Sequence, residues 1–95
     1  VFEVVRAAVG DGDAEVRAEV LGALAWRWPD DAYPLVCARA LDQAEAPTVR
    51  VTAARLLGVL WPEGAEALEV LRELEGTGPE EARTAVRQAL ALRLP

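Results

Sequence analysis

The sequence predicts an all-α protein, a right-handed α-solenoid of stacked antiparallel helix pairs with about six helices. Three observations carry this. The 95 residues are 53% hydrophobic, mostly Ala, Val and Leu with no Ile or Met, and Ala and Leu are strong helix formers. Apolar residues recur at helical rather than alternating spacing, and no stretch reads as a strand. The amphipathic stretch from Pro47-Thr48-Val49-Arg50 to Leu60-Trp61-Pro62 also has an earlier copy, Val16-Arg17 to Trp28-Pro29, and a later one at the same offset, Ala82-Arg83 to Leu94-Pro95. A fixed period of about 33 residues, with two helices per unit, marks repeats that bury a continuous core only by stacking on their neighbours.

In chain order, Phe2 to Val9 reads as a short helix with Phe2, Val5 and Val9 on one face. Gly10-Asp11-Gly12-Asp13 stops it, and Asp11 or Asp13 can cap the next helix by accepting from its free N–H groups. That helix is predicted from about Ala14 to Arg27 with Val16, Val20, Ala23, Leu24 and Arg27 inward. Pro29 closes it, because the residue before a proline is pushed out of the α region. Asp30 or Asp31 then caps a third helix, about Ala32 to Asp42, with Pro34 in the first turn and Leu35, Cys37, Ala38 and Leu41 as its inner stripe. A fourth helix opens on Pro47 and runs to Leu60, burying Val49, Ala53, Leu56, Leu57 and Leu60, until Trp61-Pro62 ends it. The fifth, about Gly64 to Leu74, turns Leu68, Leu71 and Leu74 inward and Glu66, Glu69 and Glu73 outward, and Gly76-Thr77-Gly78 breaks it. The sixth runs from Pro79 to about Arg93, with Ala82, Val86, Ala89, Leu90 and Arg93 inward.

Overlaying residues 13–45 on 46–78 gives nine identical pairs: Val16/Val49, Arg17/Arg50, Leu24/Leu57, Trp28/Trp61, Pro29/Pro62, Ala32/Ala65, Leu35/Leu68, Arg39/Arg72 and Leu41/Leu74. They fall on inward, capping or turn positions, where a repeating packing places them. Arg83 and Leu90 extend two of the series, and Arg6 joins Arg39 and Arg72. Within a single domain over 1–95, residues 30–62 and 63–95 form whole units and 1–29 an incomplete one. Neither end reads as the polar capping repeat that a solenoid requires, so a segment of a longer solenoid is expected.

Glu15-Val16-Arg17 followed by Val20 and Ala23-Leu24 resembles the HEAT and HEAT-like (bilin-lyase type) repeats, and Thr48-Val49-Arg50 followed by Ala53 and Leu56-Leu57-Gly58 matches them more closely. The resemblance covers essentially the whole chain. It implies that Arg17, Arg50 and Arg83 are structural, bonding turn carbonyls and neighbouring acids such as Asp11, Asp13 or Glu45, rather than forming a basic row for an acidic ligand. It also implies that the second helix of each pair lines a concave face, which here carries Glu15, Glu19, Gly22, Thr48, Thr52, Arg55, Glu81 and Gln88. The third unit departs from the pattern: Ala82 replaces Val, and Gly76-Thr77-Gly78 lacks an acidic turn residue, so no unbroken Asp–Arg ladder is expected. Related hydroxylases hold iron with His-Glu pairs, and this chain has no His, which excludes that activity for this stretch.

A net charge of −6, with ten basic residues that are all Arg, opposes binding to phosphate backbones, so no nucleic acid partner is expected. No run of about 18 apolar residues predicts a membrane span, no leader is recognisable, and one Cys excludes an internal disulfide; a cytoplasmic location is expected. Without His or Ser, and with a lone Cys, the usual nucleophilic triads cannot be assembled, and a zinc site would need acids alone. No catalytic, cofactor-binding or metal-binding residue and no cofactor is expected. Cys37 aligns with Val4 and Val70 and is expected to pack as a small hydrophobe. Trp28 and Trp61 are expected to fill the seam between units. Trp26 aligns with Val59 and Leu92 and is expected to pack between repeats, whereas an exposed Trp26 is a candidate partner-binding hot spot. The acidic run Glu63, Glu66, Glu69, Glu73 and Glu75 reads as a solvated convex face.

These readings converge on a non-catalytic protein–protein interaction scaffold that takes a protein or peptide on Glu15, Glu19, Trp26, Thr48, Thr52, Arg55, Glu81 and Gln88. The alternatives are a fragment of a HEAT-like enzyme or cofactor-handling protein, of bilin lyase subunit or DNA glycosylase type, with its site outside this segment, or a structural spacer that associates with itself or with flanking repeats.

Overall fold

The computed structural model describes residues 12–91, and within them five helices follow one another: α1 (Ala14–Arg27), α2 (Pro29–Leu41), α3 (Pro47–Leu60), α4 (Ala65–Thr77) and α5 (Glu80–Ala91). They form two layers. Helices α1, α3 and α5 lie side by side in one, and α2 and α4 lie against each other in the second, each packed on α3. The result is an all-α solenoid measuring 37 × 24 × 15 Å. The short helix over Phe2–Val9, the cap at Asp11, Arg6, Arg93 and the terminal Leu94-Pro95 all lie outside the described residues.

The repeat is visible in the backbone itself. Trp28 sits at φ −133°, ψ 68° and Trp61 at φ −129°, ψ 57°, so the same residue leaves the helix by the same turn in successive units. Trp28 is the whole connection between α1 and α2: its N–H donates to the Leu24 carbonyl at 2.7 Å, and its carbonyl accepts from Ala32 N–H at 2.9 Å. Pro29 therefore opens α2 at its first position, where a missing N–H costs nothing. This corrects the expectation that Asp30 or Asp31 caps the helix. Trp28 is the N-cap, the two acids occupy the first turn, and Pro34 is carried into the helix interior. At the other boundaries, Asp13 caps α1 by accepting from Glu15 N–H at 2.9 Å. Helix α4 runs through Gly76 and Thr77 and is closed by Gly78, whose N–H donates to the Leu74 carbonyl at 2.7 Å.

Leu21, Leu24, Val36, Val49, Leu57, Leu71, Leu74 and Val86 are fully buried. Helix α3 has the expected bounds, and its Val49, Ala53, Leu56 and Leu57 are buried as read, together with Arg50, Ala54 and Gly58; Leu60 is half-buried. In α1 the inward face differs from the expected one. Ala18, Leu21, Leu24 and Ala25 are buried, Val20 is half-buried, and Val16, Ala23 and Arg27 are exposed. In α2 the buried residues are Ala32, Val36 and Ala40; Leu35, Cys37 and Leu41 pack half-buried at the core's edge and Ala38 is exposed. In both helices small residues take part of the contact line: Ala18, Ala25, Ala32 and Ala40 are buried beside Leu21, Leu24 and Val36. Helix α3 lies close on α5: a Cβ placed on Gly58 would lie 2.5 Å from Ala89 Cβ and 2.9 Å from its Cα.

In α4, Ala67, Val70, Leu71 and Leu74 are buried with Leu68 half-buried, and in α5 Ala82, Ala85, Val86 and Ala89 are buried with Leu90 half-buried. Glu63, Glu66, Glu69, Glu73 and Glu75 are all exposed. Among the described residues, no helix is long and apolar enough to cross a membrane.

Candidate protein-interaction face

The in-phase arginines sit at equivalent helix positions with three different partners. Arg17, near the start of α1, reaches across to Glu45 in the α2–α3 loop, with Nη2 2.6 Å from Oε1 and Nε 3.1 and 3.2 Å from the two oxygens. Arg50 is buried and donates from Nε to the Ala40 carbonyl at 3.0 Å, satisfying the end of α2. Arg83 donates from Nε to the Gly78 carbonyl at 3.0 Å, using backbone where the acidic turn residue is lacking.

Glu45 is buried, unusual for a carboxylate and tolerable only because its oxygens are engaged. Besides Arg17, it accepts from Ala46 N–H at 2.8 Å, and Arg39 Nη1 stands 3.5 Å away. Burial, the largest influence, pushes its carboxyl up. The Arg17 bonds and charge, the Ala46 N–H and the Arg39 charge together outweigh burial and hold it below the usual carboxylate range. One side chain thereby ties α1, α2 and the start of α3. Asp13 caps its own helix. In the second arginine series, Arg39 also lies 3.9 Å from Asp42, while Arg72 is exposed.

The aromatic seam links the layers. Tyr33 and Trp61 stack at 4.8 Å between centroids, and the Tyr33 hydroxyl accepts from Ala67 N–H at 2.8 Å. Because Gly64 at the α4 N-cap has no side chain to cap with, Tyr33 of the preceding unit does this work. Trp28 is half-buried with the Arg27 guanidinium 5.7 Å above its ring. Cys37 is half-buried at the edge of the core; burial first, then the neighbouring Glu66 charge, pushes its thiol up, so it stays protonated and is a poor nucleophile at neutral pH.

Outside these satisfied networks, three open grooves meet at Arg55 on the side formed by α1, α3 and α5. One, about 290 Å³, is lined by Trp26, Thr52, Arg55, Leu56 and Val59. A second, about 180 Å³, is lined by Arg55, Val59, Ala85, Gln88 and Ala89. A third, about 320 Å³, lies among Pro47, Thr48, Val51, Thr52, Arg55 and Glu81. Trp26 is 65% and Val59 53% exposed, which overturns the expectation that Trp26 packs between repeats. The position they share in successive units is the last but one of α1 and of α3, and both side chains line the groove between these helices.

Of the residues read from sequence as partner-facing, the structure brings Trp26, Thr48, Thr52, Arg55, Glu81 and Gln88 to these grooves. Glu15 and Glu19 are exposed on α1 but line none of the three. Sequence reasoning missed Val59, Leu56 and Val51 as lining residues. Val59 was accessible through its alignment with Trp26, whereas Leu56 reads as core and contributes only an edge. Among the described residues, no three His, Cys, Asp or Glu side chains converge to hold a metal ion.

Comparison with curated proteins and with solved structures gave no match. A family model described as HEAT repeats matches residues 2–91. With that match along almost the full length, and with stacked helix pairs returning at a constant interval along the sequence, this chain belongs to the HEAT repeat family.

Proposed function

We propose that the chain is a non-catalytic scaffold that binds a protein or peptide across the α1/α3/α5 face, the concave side of the stack. HEAT repeats in general mediate protein–protein interaction, and a row of stacked helices offers a stiff, extended surface read by shape and scattered polar contacts. The observation that carries the reading is the meeting of three grooves at Arg55, with two large apolar side chains left exposed beside them. Buried aromatic and Arg anchors dominate binding energy at protein interfaces, and Trp26 and Arg55 supply both types.

The test is an affinity capture from the source lysate, with a Glu19→Arg/Arg55→Glu variant as the control bait. The scaffold reading expects a discrete protein retained by the native chain and lost with the variant. Equal retention by both baits, or none by either, overturns it.

A further inference from the structure

We infer that the Trp26–Arg55–Val59 groove recognises a partner segment that presents one carboxylate beside one large apolar side chain. The inference rests on the scaffold reading and adds the partner's chemistry. Among the described residues Arg55 has no ion-pair partner, unlike Arg17 and Arg39. Arg55 lines all three grooves. In the groove next to Trp26, every other lining side chain is apolar except Thr52, and Thr52 commits its proton to the Thr48 carbonyl at 3.0 Å. Arg55 is therefore the one charged donor in that groove, and nothing acidic lines it to receive a basic side chain.

The groove on the far side of Arg55 is different, because Glu81 lines it and opposes an anion there. The groove against α5 has no acid either but offers only Val59, Ala85 and Ala89 as apolar lining, whereas on the Trp26 side an apolar neighbour of the carboxylate would lie against Trp26, Leu56 and Val59. The guanidinium fork suits a carboxylate bidentately. The chain's net charge of −6 opposes approach of a long acidic tract, so a single carboxylate coupled to apolar bulk fits better than a polyacidic tail.

The experiment uses 3-phenylpropionate as probe, with its neutral amide and 3-phenylpropylamine as charge variants. Binding is read from the ¹H–¹⁵N resonances of the Trp26 indole and the Arg55 Nε–H. A fragment of this size is expected to give saturable shifts with Kd of about 1–10 mM. The carboxylate should bind about three- to tenfold tighter than the amide, and the amine weakest. Arg55→Gln should erase the preference among the three probes, and Trp26→Ala should weaken all three alike. Both sites are exposed, and circular dichroism checks that the variants remain folded.

The inference is overturned if the amine binds as well as the carboxylate, if the preference survives Arg55→Gln, or if no saturable shift appears. It is also overturned if the Trp26 signal moves on dilution of the protein alone, which would make a second copy the occupant. Loss of probe preference while the lysate partner still depends on Arg55 leaves the scaffold reading standing and removes only the chemistry. A preserved preference with no captured partner removes the scaffold reading instead.

Discussion

Glu45 is a site where opposing effects can be weighed. Desolvation disfavours its charge, while Arg17, Arg39 and the Ala46 N–H favour it, and the net effect holds the carboxyl below its ordinary value. The folded-state value is depressed, so the contribution to stability is fully present above the unfolded carboxylate value of roughly 4.3 and is lost as pH falls through the lower folded value. Glu45→Gln should cost about 1–3 kcal/mol at pH 7, and the gap between variant and native chain in thermal unfolding should close in that acid range. A gap independent of pH would mean that the charge contributes nothing. The indole of Trp26 stands at the opposite extreme. Since it is mostly exposed, Trp26→Ala should change stability by no more than about 0.5 kcal/mol, whereas Leu57→Ala in the closed core should cost about 2–5 kcal/mol in urea unfolding. Similar losses from the two would place Trp26 in the core.

Among the elements, the α3–α5 contact sets two magnitudes against each other. Replacing a helical Gly with Ala gains about 1 kcal/mol of propensity, but at Gly58 the new methyl meets Ala89 backbone as well as side chain. Overpacking of this kind costs about 1–3 kcal/mol, so Gly58→Ala should be net destabilising in urea unfolding; a stabilised variant would show that the helices do not approach so closely. The cap at α4 gives a second check. Tyr33→Phe should cost about 0.5–2 kcal/mol and speed hydrogen exchange at the Ala67 amide, which loses its acceptor. The end of α4 falls at Thr77 rather than at the expected Leu74, because its last turn carries Gly76 and Thr77, but helix identity and most other boundaries were legible because Pro47 and the Trp-Pro pairs act through local backbone sterics. The inward faces of α1 and α2 were not, because Val16 and Leu35 carry more hydrophobicity than Ala18 and Ala32 while close helix approach selects the smaller side chains. In α3, wedged between neighbours on both sides, nearly every apolar residue is covered, so its face could be read directly. The candidate face was legible as far as its helix-periodic polar positions went. Trp26 was named both as seam and as partner-facing, and its sequence could not decide between the two, because exposure of an aromatic depends on where the neighbouring unit ends, which its own helix does not encode.

At the scale of the whole molecule, the described helices contact only those of the same or the adjoining unit, so stability is approximately a sum of unit and interface contributions. The connections between helices differ greatly in length: four residues, 61–64, join α3 to α4, whereas Trp28 alone joins α1 to α2. Swinging α1 against α2 can therefore use only the two dihedrals of Trp28. Any sizeable change in either breaks the bond from its N–H to Leu24 or the bond from Ala32 N–H to its carbonyl. The joint has no slack and works as a welded elbow, leaving the pair to move as a single lever. Whatever breathing the Arg55 grooves undergo must then come from one lever tilting on the next, so an occupant that clamps α1 to α3 would stiffen the stack along its length and not merely fill a hollow in it.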